Sequence, residues 1–316
     1  MFRRVSATAI LLSLCVALLQ CRQGEPSGPR ENAAAGDSLL FMQAWKPLGA
    51  ILIEQEVPIG SYFEFLDSLV QRWDSRCPYE LNEHLLVRAN PWLIDRLQRT
   101  DYYFLAAQDS FVYDQKILPA LHPGDTLLLP GEKLARLIEA QQERIVLDVN
   151  IPEYRLRILD PPDTLFSFSV RVGRNERQYL AMSGRLTDLR TQPGVGQIVR
   201  ISKNPAFINP VNCRPYHQTR RDDGRVTALP RIPWVEPEIN GVCHGHLIHP
   251  TTNPNTLGRA YSNGCIGVSE WAMWRIYYYA PLGTQVRYRY DLRVPGPEGD
   301  TIELPDIYGW GGGPVR

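Results

Sequence analysis

The apolar pattern of this chain changes period near residue 144, and that change limits the folds open to it. Before it, "VPIGSYFEFLDSLVQRW" (57–73) sets Phe63, Leu66, Leu69, Val70 and Trp73 at helical spacing after a turn. "NEHLLVRANPWLIDRL" (82–97) reads as a further short helix, broken near Pro91. "LHPGDTLLLP" (121–130) gives a Pro-Gly turn and a short strand, and "GEKLARLIEAQQER" (131–144) a charged helical connector. After it, "RIVLDV" (144–149), "YRLRIL" (154–159) and "LFSFSVRV" (165–172) alternate apolar and polar residues, with "NIPE" and "DPPD" as turns. Further strands are expected at "QIVRIS" (197–202), "CHGHLIH" (243–249) and "TQVRYRYD" (284–291). One helix, "SEWAMWRIYYYA" (269–280), interrupts them, with Ser269 as its N-cap and an aromatic stripe suited to a sheet. The 26 prolines favour turns over long helices. The expectation is a small α+β region followed by a mainly β domain.

Lys plus Arg equals Asp plus Glu, at 34 each, so no basic field attracts nucleic acid. Arg3 and Arg4 precede "ATAILLSLCVALL" (7–19), an apolar run shorter than the roughly 20 residues that span a bilayer. It reads as a secretory signal over 1–20, with a tether over 21–50. "LLQC" resembles a bacterial lipoprotein signal with Cys21 as the acylated residue, although Gln20 departs from the small residue usual there. The plainer reading is a cleaved signal and an incidental thiol. Export to the periplasm or cell envelope, with a membrane anchor through Cys21, is the expectation. Export leaves Cys77, Cys213, Cys243 and Cys265, which allow three full pairings. If Cys265 is catalytic it stays unpaired, and Cys213 with Cys243 becomes a plausible disulfide.

"YSNGCIGVSEW" (261–271) poses the chemical question, since Cys265 fits an apolar filler, half a disulfide or a nucleophile. A thiol attacks carbonyls as thiolate, whose free pKa is about 8.5, and an imidazole or a helix N-terminus lowers that value. The helix expected from Ser269 lies just beyond Cys265. Gly264 permits a sharp turn, and the amides of Gly264 and Cys265 are candidates for an oxyanion hole. For the base, "CHGHLIHP" offers His244, His246 and His249. On a regular strand 244 and 246 face one side and 249 the other, which argues against a three-histidine metal site. His249, at the strand's end beside Pro250, is the candidate base.

"LIHPTT…LGRAYSNGCIGVSEW…PLGTQVRYRY" resembles the core of the L,D-transpeptidase (YkuD-type) catalytic domain. That pattern runs Ile-His-Gly-Thr, a loop with a glycine, Ser-His-Gly-Cys-Ile-Arg, a helix, then Gly-Thr-x-Val. Ile248-His249, Thr251, Gly258, Ser262, Gly264-Cys265-Ile266 and Gly283-Thr284-Gln285-Val286 match it, and "TQPGVG" (191–196) resembles an earlier Thr-Pro-x-Gly segment. Pro250, Asn263 and Gly267 depart from it, standing for glycine, histidine and arginine. Upstream, Pro58-Ile59-Gly60, Ala89-Asn90-Pro91 and Pro123-Gly124-Asp125-Thr126-Leu127 resemble a LysM peptidoglycan-binding module, with an insertion at "QRTDYYFLAAQDSFVYDQK".

The resemblance implies a β-sandwich or barrel-like catalytic domain over 144–293 and a small α+β, LysM-like module over 51–130; a connector over 131–143 and a C-terminal tail over 294–316, loose at "GWGGGPVR" (309–316), complete the expected organisation. The resemblance also implies acyl transfer in peptidoglycan, with Cys265 as nucleophile, His249 as base and Gly264 at the oxyanion. Ser262, Asn263, Arg259 and Thr251 would contact the substrate; Arg259 and Arg231 are candidates to compensate for the missing arginine, although nothing in the sequence shows that either does. The partners would be stem peptides and glycan, with no metal and no organic cofactor. Two other readings remain: an L,D-carboxypeptidase or hydrolase that uses water as acceptor, and a non-catalytic wall-binding lipoprotein whose catalytic fold has decayed.

Overall fold

The structure, a computed structural model, describes residues 46–180, 184–209, 212–296 and 299–311. The signal segment, Cys21, most of the tether and the last five residues lie outside them. Among the described residues, no helix is long and apolar enough to cross a membrane.

The N-terminal region opens with strand β1 (Gly49–Leu52) and closes with β2 (Thr126–Leu129), paired antiparallel with Gly49 opposite Leu129. Between them lie helices α1 (Tyr62–Trp73), α2 (Glu83–Arg88), α3 (Pro91–Gln98) and α4 (Tyr102–Ala106). The helix starts follow local chemistry. The Asn82 side chain accepts from the Leu85 amide, and Pro91 takes the first position of α3, where no N–H is needed. Helix α5 (Glu132–Arg144) then leads into the second region.

The change of period at residue 144 is the point where the large sheet begins. Its strands are β3 (Val146–Asn150), β4 (Arg155–Asp160), β5 (Asp163–Ser169), β7 (Gly194–Ser202), β8 (Trp234–Ile239), β9 (Ile248–Pro250), β11 (Ile266–Val268) and β12 (Gln285–Arg289). A short pair, β6 (Val172–Gly173) with β10 (Ala260–Ser262), lies beside it. The order across the sheet is β11-β9-β8-β7-β12-β3-β4-β5. The two edges meet just beyond β5. Arg171 and Gly267 form an antiparallel bridge, each amide donating to the other's carbonyl at 2.9 and 3.0 Å. That bridge nearly closes the sheet into a barrel and removes part of two open edges. The mainly β, barrel-like expectation matches this architecture.

Helix α6 (Glu270–Tyr279) follows β11, and Ser269 caps it by accepting from the Ala272 amide at 3.3 Å. The helix is apolar around most of its circumference, as a helix covered on both sides must be. One side meets the sheet, with Phe168 against Trp271 and Phe166 against Tyr279 at ring separations of 5.5 and 4.9 Å. The other meets the N-terminal region: Phe63 stacks on Trp274 at 6.0 Å, Tyr62 and Tyr278 share a 2.7 Å hydrogen bond, and Arg275 donates to Asp95. Only the sheet contact was expected from the sequence.

Three further features differ from the sequence reading. "CHGHLIH" yields a strand only at Ile248–Pro250, because Gly245 takes a left-handed turn at φ +72°. The C-terminal tail carries structure that the sequence reading did not indicate: Thr301–Glu303 pairs with Arg293–Pro295, and Tyr308 is buried against Tyr290. Cys77, Cys213, Cys243 and Cys265 are all free, so the Cys213–Cys243 disulfide is not formed.

Candidate active site

Two adjacent parallel strands set the geometry around Cys265. In the β9–β11 register Ile248 lies opposite Ile266 and His249 opposite Gly267, and the Ile266 amide donates to the Leu247 carbonyl at 2.8 Å. Ile248 and Ile266 point into the core and are fully buried. Alternation along each strand therefore puts His249, Gly267 and Cys265 on the opposite face. Cys265 is half-buried as a residue and forms no disulfide, and its thiol lies mostly beneath the surface.

The imidazole is oriented by its own neighbour. His249 Nδ1 lies 2.9 Å from the Pro250 carbonyl oxygen. A carbonyl only accepts, so the neutral ring carries its proton on Nδ1 and leaves Nε2 with a free lone pair. Burial, and then the nearby Arg171 charge, push the His249 pKa down to about 4, against the Pro250 hydrogen bond. The ring is neutral at pH 7. Burial pushes the Cys265 thiol up; the Leu247 amide, 3.4 Å from Sγ, and Arg171 pull it back, and Glu236 opposes them. At rest the pair is a neutral thiol and a neutral imidazole.

Hydrogen bonds fix the turn that carries the thiol. Ser262 Oγ donates to the Cys265 carbonyl at 2.6 Å and accepts from the Gly264 amide at 3.2 Å. Thr191 Oγ1 donates to the Gly264 carbonyl at 3.0 Å and accepts from the Gly173 amide at 2.9 Å. Tyr308, in turn, holds the Gly173 carbonyl and accepts from the Thr191 amide. His246 packs on Gly264 so closely that a Cβ there would lie 2.3 Å from Nε2. Burial, and then His244, push the His246 pKa down to about 4.

The other residues singled out from the sequence are placed as follows. Asn263 is exposed and accepts from Arg174 at 2.7 Å. Arg259 is exposed, and its carbonyl accepts from the Val172 amide at 3.1 Å. Thr251 is 2% exposed with its hydroxyl bonded to Asn253, so it presents no group to a bound peptide in this conformation. Arg231 donates to the Gly60 carbonyl and stays with the N-terminal region. The guanidinium near the sulfur belongs to Arg171, which the sequence reading did not single out. His244 stacks on His246 at 5.6 Å and, with Asp188, Gln192 and Cys243, lines an open cleft of about 510 Å³. Among the described residues, no group of histidine, cysteine and acidic side chains is arranged to hold a metal ion.

Residues 144–287 match the family model of the L,D-transpeptidase catalytic domain, YkuD. That segment is a catalytic domain of the L,D-transpeptidase family. Among solved structures, an L,D-transpeptidase from Mycobacterium smegmatis aligns at 12% identity and a TM-score of 0.32, over 46% of this chain and 58% of that one. An L,D-transpeptidase from Mycobacterium tuberculosis H37Rv aligns at 18% and 0.28, over 46% and 57%. Residues 123–326 of one from Xylanimonas cellulosilytica align at 14% and 0.34, over 77% and 100%. The chain thus spans less than two thirds of the length of the first two. No curated protein matches it.

Proposed function

We propose that this protein is a cysteine-dependent L,D-transpeptidase that cross-links or modifies peptidoglycan stem peptides. The observation that supports the reading is the β9–β11 register, which runs the strand leading from the unpaired Cys265 beside the strand that carries His249, whose Nε2 keeps a free lone pair. Nε2 of His249 takes the Cys265 proton as sulfur attacks the carbonyl between an L-centre and a D-residue. The C–N bond breaks, the proton passes from His249 to the leaving amine, and a thioester remains on Cys265. An acceptor amine then attacks the thioester, giving a new peptide bond and the free thiol.

The Cys265 amide, which has no partner among the described residues, is the oxyanion donor most directly placed. The Gly264 amide joins it once it leaves Ser262. Asn263 and Arg259, both exposed, lie within the sequence loop that leads to the thiol and are proposed to contact the stem peptide. The N-terminal region over 51–130 is proposed to hold glycan, and the leader and Cys21 to place the protein in the cell envelope.

Incubation with a carbapenem, which acylates enzymes of this family, tests the reading. Mass spectrometry should find an adduct on the wild-type protein and none on Cys265→Ala. No adduct on wild type, with retention on purified peptidoglycan intact, would make this a wall-binding protein instead.

A further inference from the structure

Arg171 is the cation beside the nucleophile, and it arrives from an unexpected place in the sequence. The resemblance expects an arginine directly after Cys265-Ile266, where Gly267 stands. The space that a side chain at 267 would fill holds the Arg171 side chain: a Cβ on Gly267 would lie 2.4 Å from Arg171 Nε and 2.7 Å from its Cγ. The paired backbone bonds between Arg171 and Gly267 fix this placement at the closure of the barrel.

The charge of Arg171 has no ion-pair partner among the described residues. Its Nη1 donates to Thr256 Oγ1 at 3.2 Å, and its buried Nε has no acceptor. A half-buried guanidinium without a carboxylate is costly to keep, unless an anion forms beside it. Burial pushes the Arg171 guanidinium down, and Cys265, Tyr261 and Asp222 pull it back, Cys265 the most of the three.

Resting on the transpeptidase reading, we infer that Arg171 is the charge partner of the Cys265 thiolate and replaces, from another strand, the arginine absent at 267. It lowers the cost of the thiolate when His249 removes the proton, and it leaves the imidazole neutral. The other ionisable groups that act on the sulfur are Glu236 on β8 and Tyr288 on β12, and His249 lies on the neighbouring strand β9, where it too feels Arg171. Glu236 opposes the thiolate but pairs with Arg200 at 2.6 Å, and Tyr288 has a buried hydroxyl with no acceptor.

The test is the pH dependence of iodoacetamide alkylation at Cys265 in the full chain. Peptide mass spectrometry separates Cys265 from the other thiols. Arg171→Met should raise the midpoint by about one pH unit and slow alkylation at pH 7 about tenfold. Arg171→Lys should recover much of the loss. The transplant Arg171→Ala with Gly267→Arg should restore a midpoint near wild type, which a merely structural role for Arg171 would not do. Thr256→Val, which removes the hydrogen bond and keeps the charge, should leave the midpoint in place.

An unchanged midpoint in folded Arg171→Met would overturn the inference. So would a transplant that folds with a midpoint as high as that expected of the methionine variant, which keeps a reading open if Arg171→Met is unstable. A carbapenem adduct retained beside an unmoved midpoint would reject Arg171 and leave the transpeptidase intact. Absence of any adduct on wild type would reject both.

Discussion

At the residue scale, the proposed catalytic pair is His249 and Cys265. His249→Ala should lower the acylation rate by about a hundredfold or more, the usual yield of a positioned general base. His244→Ala should change it little, because His244 stacks on His246 and His246 on Gly264, away from the Pro250 bond that sets the tautomer. The two rates under single turnover check this, and comparable losses would move the base elsewhere. With its pKa pushed down to about 4, His249 stays unprotonated as pH falls from 7 to 5. Lost base function should appear only on approaching pH 4. The sequence suggested this pair through a short motif, and the two strands that carry it are neighbours in the sheet. Arg171 stayed hidden because it comes from a distant segment and meets Gly267 only when the barrel closes; Thr191 lay within the segment noted at 191–196, but its bond to the Gly264 carbonyl, and Tyr308 behind it, depend on the folded chain. The one cue was a glycine at 267 where an arginine was expected, and it read as a loss because the sequence does not show what fills the space.

At the element scale, helix α6 ties the site to the rest of the protein. Its first residue, Glu270, is 1% exposed and pairs with Arg221, which is 2% exposed. Gln115 donates to Glu270 at 2.8 Å and accepts from Arg221 at 2.9 Å. One carboxylate, Asp101, caps two helices: one oxygen accepts from the Tyr103 amide in α4, the other from the Trp271 amide in α6. Glu270→Ala would strand the Arg221 charge in the interior, at about 3–5 kcal/mol. Urea unfolding should show that loss, and removing both charges by Arg221→Met with Glu270→Leu should recover most of it. A loss no smaller in the double variant would mean that packing, not the stranded charge, is responsible. The sequence indicated this helix, its Ser269 cap and its aromatic content. It did not indicate the second cover, because an all-round apolar helix states that it is buried without naming its partner.

At the scale of the whole molecule, the two regions separated by period in the sequence are joined in packing. Tyr62, Phe63, Glu83 and Asp95 of the N-terminal region are the partners of Tyr278, Trp274, Tyr277 and Arg275 on α6. Glu83 also accepts from Tyr278 and pairs with Lys203 of the sheet region, so a polar network runs through the same contact. Cutting the chain at residue 144 would expose a helix face with Trp274, Tyr277 and Tyr278 now at most 1% exposed, and would leave two tyrosine hydroxyls without acceptors. That face lies one element after the nucleophile, on the same segment as β11. A fragment of residues 144–316 should therefore bind a hydrophobic dye, lose its near-ultraviolet dichroism and react with a carbapenem far more slowly than the longer chain. If instead the fragment unfolds cooperatively and is acylated at the full rate, the N-terminal region is an appendage to the site. If not, it is part of the scaffold that holds the strands carrying Cys265 and His249 in place, and any role in holding glycan is added to that structural one.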